Sequence, residues 1–105
     1  MAGRIRKAVD ERFYLSSAKG GGMLRREIWV DGSGGVVRYN LGYINHLIYT
    51  GDDGRVLGYD SAHGYHHRHY RGHVTTVRFE SFEPIEARFQ REWNRLAKEL
   101  RHAQE

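Results

Sequence analysis

The chain has 105 residues, 39% of them hydrophobic and 12% aromatic, with no cysteine and a formal net charge of +4. That length is one ordinary domain, and the lack of thiols excludes disulfides and thiolate metal sites. The pI near 9.6 favours anionic partners, either nucleic acid or an acidic protein, and there is no apolar run of the roughly 18 residues that a membrane-spanning helix needs.

The N-terminus, Met1 to Lys7, is basic with no apolar signal core behind it, so the protein is expected in the cytoplasm. Residues 1–11 read as a polar, flexible arm on a single domain covering 1–105, and a first strand is expected over 12–17, with Phe13 and Leu15 on one face. Gly20-Gly21-Gly22 ends it, because glycine takes turn conformations without steric penalty. It is not a phosphate loop: no Gly-Lys-Ser/Thr follows and no helix opens there. From Met23 to Asp31 the chain alternates, with Leu24, Arg26, Ile28 and Val30 on one side and Arg25, Glu27 and Trp29 on the other. This period of two, rich in β-branched and aromatic residues, predicts a half-buried strand.

Asp31-Gly32-Ser33-Gly34-Gly35 predicts a hairpin turn. The strand after it, Val36 to about Asn45, places Val37, Tyr39, Leu41 and Tyr43 on one face and Arg38, Asn40 and Gly42 on the other. His46 to Tyr49 reads equally as a continuation or a bulged extension. Asp52-Asp53-Gly54 is a turn before a short strand from Arg55 to Asp60, and a last strand is expected from Val74 to Glu80. Then the period changes: Phe82, Ile85, Phe89, Trp93, Leu96 and Leu100 fall on one helical stripe. Pro84 fits only the first turn, so the helix should begin near Glu83. The fold class expected is α+β: an antiparallel meander of about five strands with one long C-terminal helix packed on the sheet.

The histidines are concentrated. Five of seven lie between His63 and His73, interleaved with Tyr65, Arg68, Tyr70 and Arg71. In an extended chain His67 and His69 share one face and Arg68 and Tyr70 the other. Asp60 and His63 precede them around Gly64, where the chain can turn. Three readings follow. Two close imidazoles divide the roles of base and acid, which suits metal-independent RNA cleavage. Arg38, Arg68 or Arg71 would then hold the phosphate, and Tyr59 or Tyr70 would supply a hydrogen bond. Alternatively, His-x-His with a further His or Asp is a ligand set for zinc or another transition metal. Or the hairpin carries solvated histidines with no further task. The acid/base reading makes His67, His69, His63 and Asp60 the candidate catalytic residues and requires no cofactor. Trp29 and the tyrosines are candidates for stacking bases.

Taken in order, several segments resemble the TumE family, the toxin half of bacterial type II toxin–antitoxin pairs. They are Tyr39-Asn40-Leu41 with Tyr43, Arg55 through Tyr59-Asp60-Ser61-Ala62-His63-Gly64, His67-Arg68-His69, and Phe79-Glu80-Ser81 leading into a helix that contains Phe89. The likeness spans about residues 36–96 and is most specific at Tyr-Asp-x-x-His-Gly and the His-x-His after it; the family commonly has Asn where this chain has Ser61. It implies a cytoplasmic toxin neutralised by a cognate antitoxin, typically a helix-turn-helix DNA-binding protein from the same operon. RNA as the target is an analogy with other toxins joined to the local chemistry. A free strand edge would pair with the antitoxin or with a second copy as a homodimer.

Overall fold

The computed structural model describes residues 4–62 and 64–103. It is an α+β fold: one antiparallel sheet in the order β1-β2-β3-β4-β5-β6, with a single helix on one face. The strands are β1 (Arg6–Tyr14), β2 (Met23–Val30), β3 (Val36–Ile44), β4 (Arg55–Ala62), β5 (Tyr65–Tyr70) and β6 (His73–Thr76), and α1 is Phe82–Ala103. Every strand pairs with its neighbours in sequence, because each connection is a short turn. At the β2–β3 turn, Asp31 Oδ1 accepts hydrogen bonds from Ser33 N, Ser33 Oγ and Gly35 N at 3.0, 2.7 and 3.0 Å.

The strand count is six, and three boundaries differ from expectation. Residues 6–11 belong to β1 rather than to a flexible arm, and the strand expected over 12–17 is present over 12–14 as the end of β1, stopping short of a 3-10 turn at Ser17–Lys19. β1 is an edge strand with nearly all its side chains exposed, so burial imposes no alternation on it. Its ladder to β2 holds it, together with ion pairs from Lys7 to Glu27 and from Arg26 to Glu11. The last strand stops at Thr76, not Glu80. Val77 N still donates to His66 O at 2.8 Å, and Phe79 then stacks flat on the His66 ring, centroids 3.9 Å apart. His46 to Ile48 form a turn, which settles the open choice there.

The core lies between sheet and helix. Leu24, Ile28, Val30, Tyr39, Leu41, Tyr43, Leu57 and Tyr59 come from the strands, and Phe82, Ile85, Phe89 and Leu96 from α1. Burying each large side chain contributes about 1.5–3 kcal/mol, so the helix stripe is the main reason α1 docks. Gly20 lets the chain touch the helix: its φ is +100°, and a Cβ there would lie 2.5 Å from Ala97 O. Among the described residues no helix is long and apolar enough to cross a membrane. The helix covers one face of the sheet and leaves the other open.

Candidate functional site

The β4–β5 ladder builds the site on that open face. Asp60 pairs with His67 and Gly58 with His69, so both imidazoles and the carboxylate project together. His69 Nε2 lies 2.9 Å from Asp60 Oδ2, and His67 Nδ1 lies 3.7 Å from Oδ1. The rings of His67 and His69 are 6.3 Å apart and nearly perpendicular. Asp60 Oδ1 and His69 Nε2 are buried without an aligned hydrogen-bond partner among the described residues. The 2.9 Å approach of His69 Nε2 to Asp60 Oδ2 is thus one of proximity rather than of good donor geometry.

Arg55 completes the cluster, and the sequence reading missed it. Simple alternation along β4 sends Arg55 inward with Leu57 and Tyr59. Tyr43 pairs with Leu57 but Ile44 pairs with Arg55, leaving Val56 as the extra residue of a β-bulge. The bulge buries Val56 and turns Arg55 onto the open face. There the side chain lies across Gly58, paired with Gly42 to make a floor without side chains. Arg55 Nη2 donates to His69 Nδ1 at 3.0 Å, Nη1 reaches Asp60 Oδ2 at 3.5 Å, and Nε donates to Asp52 at 2.8 Å. Asp52 sits in a left-handed run, with φ of +48°, +53° and +82° at Asp52, Asp53 and Gly54. Because Nδ1 accepts from Arg55, the His69 proton sits on Nε2, facing Asp60. Nδ1 of His69 is therefore engaged, while Nε2 is buried beside Asp60 without an aligned partner. The His67 ring makes no hydrogen bond among the described residues and the side chain is 28% exposed, so it has a nitrogen to offer a ligand.

Beside this cluster runs a groove of about 290 Å3, lined by Glu27, Trp29, Arg38, Asn40, Arg55 and Asp60, among others. The Arg38 guanidinium sits 4.6 Å over the Trp29 ring and the Lys7 ammonium 5.1 Å from its centre. Glu27 is only 5% exposed. Burial opposes its ionisation, but the hydrogen bond from Lys7 and the charges of Arg25 and Lys7, with Asn40 adding a further bond, hold its carboxyl below the ordinary range.

The remaining predicted residues lie elsewhere. Arg68, Tyr59 and Tyr70 are on the helix side. Tyr59 is fully buried and donates to Glu92, which also pairs with Arg68. Burial, together with Glu92, pushes the Tyr59 phenol up to about 12. Arg71 stands exposed in the β5–β6 turn at φ +46°, over the Tyr70 ring. His63 falls outside the described residues. His66 also faces the helix side, 2.8 Å from Tyr39 Oη, and burial, with the charge of His67 added, lowers its pKa. Ser61 Oγ accepts from Tyr39 N at 3.0 Å, a bond within the sheet.

Among the described residues no three His, Asp or Glu side chains are disposed to hold a metal ion. Comparison with protein-family models, with curated proteins and with solved structures finds no match in any of the three.

Proposed function

We propose that the protein is a toxin of the type II kind, acting in the cytoplasm on RNA through the Asp60–His67–His69–Arg55 cluster and held in check by a cognate helix-turn-helix antitoxin. The observation that carries the reading is the convergence of an accessible imidazole, a carboxylate 3.7 Å from it and an arginine beside a cationic, aromatic-walled groove. In this scheme Asp60 orients His67, as a carboxylate orients imidazole in other acid/base sites. His67 takes the proton of a 2′-hydroxyl, the 2′-oxygen attacks phosphorus, and the P–O5′ bond breaks. The leaving oxygen takes its proton from solvent, giving a 2′,3′-cyclic phosphate and a 5′-hydroxyl. His69 and Arg55 act on Asp60 as positioning residues, and Arg38 on Trp29 draws the phosphodiester into the groove. The antitoxin and the toxin role rest on the TumE resemblance alone.

The test is end-labelled RNA with purified wild type, His67→Ala and the double variant His67→Ala/His69→Ala, each checked for folding by circular dichroism. A general base contributes about 10²–10⁴-fold, so cleavage and growth inhibition should fall at least a hundredfold in His67→Ala. Toxicity that persists in the folded double variant refutes the reading. A second reading, a non-catalytic binding module, is favoured by one observation: the His69 side chain is only 15% exposed, with Nδ1 held by Arg55 and Nε2 buried against Asp60. It predicts full partner binding and no RNA cleavage by the wild type.

A further inference from the structure

We propose that the helix side of the protein carries a second anion-binding surface, formed by Lys19, Arg91, Arg95 and Lys98, that holds a single-stranded RNA backbone. The inference deepens the RNA reading and rests on it, but it concerns different residues on the opposite side of the sheet.

A depression of about 400 Å3 lies between α1 and the Ser17–Lys19 turn, lined by these four cations with Leu15 and Trp93 among their neighbours and no carboxylate. Its lining carries four formal positive charges, as many as the net charge of the whole chain. None of the four joins an ion pair among the described residues, whereas Arg25, Arg26, Arg55, Arg68 and Arg88 all do. The contrast is sharpest within α1. Arg88 is set one turn before Glu92, 3.6 Å away; Arg95 has Glu99 one turn on, in a neighbouring depression also lined by Glu92, but Arg91 has no carboxylate one turn away and stands one turn from Arg95 with like charge. Like charges at this spacing destabilise a helix, and an anion between them would remove the repulsion.

The spacing suits a polyanion. Arg91, Arg95 and Lys98 fall on one side of the helix and span about 10 Å at 1.5 Å per residue. That length covers about three of the ~3.4 Å axial steps between successive phosphates of one duplex strand. Guanidinium groups bind phosphate oxygens through two parallel hydrogen bonds, and the half-buried Trp93 offers an aromatic edge at the floor. Lys19 closes the far side from the turn that Gly20 presses against the helix.

Binding of a short oligouridylate to the full chain, measured by fluorescence anisotropy between about 50 and 200 mM salt, tests this. Each phosphate contact contributes about 0.7 to the log–log salt slope for single strands. The variant Lys19→Gln/Arg91→Gln/Arg95→Gln/Lys98→Gln should bind at least tenfold more weakly, with a slope shallower by about 2–3. Arg91→Gln/Arg95→Gln should show about half that change, and serves if the larger variant does not fold. Wild type that binds RNA with this slope yet never cleaves it sinks the catalytic reading and supports this surface. An unchanged slope in both charge variants overturns the proposal. So does loss of affinity for a polyglutamate peptide without loss for RNA, which would assign the surface to an acidic protein.

Discussion

Gly58→Ala separates the site from the fold. The residue is not in a left-handed conformation, so alanine fits the strand backbone, and removing glycine from a strand relieves about 0.5–1 kcal/mol of chain entropy. The new methyl group would lie 3.1 Å from Leu41 O, a tight contact that offsets part of this gain, and 2.8 Å from Arg55 Cδ. Ordinary carbon–carbon contact is about 3.5–4.0 Å, so the Arg55 stem must lift by roughly 1 Å. A 3.0 Å hydrogen bond to His69 Nδ1 and a 3.5 Å approach to Asp60 do not survive that shift. Displacements of about 1 Å in a catalytic constellation cost about a hundredfold. We expect a melting temperature within about 5 °C of wild type, with RNA cleavage down by one to two orders of magnitude. The His69 ring 15N shifts should also change, a readout independent of any catalysis. Gly42→Ala, whose methyl group would sit 3.9 Å from Arg55 Cδ, should leave both properties unchanged. Equal damage from the two substitutions, or unaltered His69 shifts in Gly58→Ala, refutes the reasoning.

Glu92→Gln leaves the partly buried Arg68 without its counter-charge and should cost about 2–3 kcal/mol in urea unfolding. Gly20→Ala demands a left-handed alanine whose Cβ runs into Ala97 O, and should lose about 2–4 kcal/mol by the same measurement. Stability should fall on acidification in two stages. Burial and the charge of His67 lower the His66 pKa, so the unfolded chain takes up a proton first; stability declines as pH drops through the ordinary histidine range, near 6.5, toward the folded value. Burial works against ionised Glu92, yet hydrogen bonds from Arg68 and Tyr59 and the charges of Arg68 and Arg88 prevail, holding its pKa down. Its contribution is present above about pH 4.5 and is lost as pH falls through the folded value. Unfolding free energies against pH should show both stages in wild type and lack the upper one in His66→Phe.

The elements with one buried face were legible in sequence. β2 and β3 alternate because Leu24, Ile28, Tyr39 and Leu41 meet the helix, and the Phe82–Leu100 stripe exists because it meets them in return. β1 left no such signal, since a charged edge strand has no side that burial selects. At the site, strand parity put His67 and His69 together and separated Arg68 and Tyr70 from them. The same rule failed at Arg55, because one extra residue at Val56 reverses the faces on either side. Bulges are set by pairing with another strand, which a single strand's pattern does not contain. Gly42 and Gly58, paired across β3 and β4 on one face, were the available hint that another side chain crosses there.

The position of α1 in chain order has a consequence for biosynthesis. The strand ladders join sequence neighbours only, so the sheet can grow hairpin by hairpin as the chain emerges. Its apolar face, however, has no cover until residues beyond Phe82 are available. Any nascent or prematurely stopped chain lacking α1 therefore displays Ile28, Leu41, Leu57 and Tyr59 on a bare twisted sheet, a surface that chaperones and proteases recognise and that favours aggregation. Quality control thus falls on α1, which follows every strand it covers, and a release of α1 from the sheet would mark the molecule for the same fate.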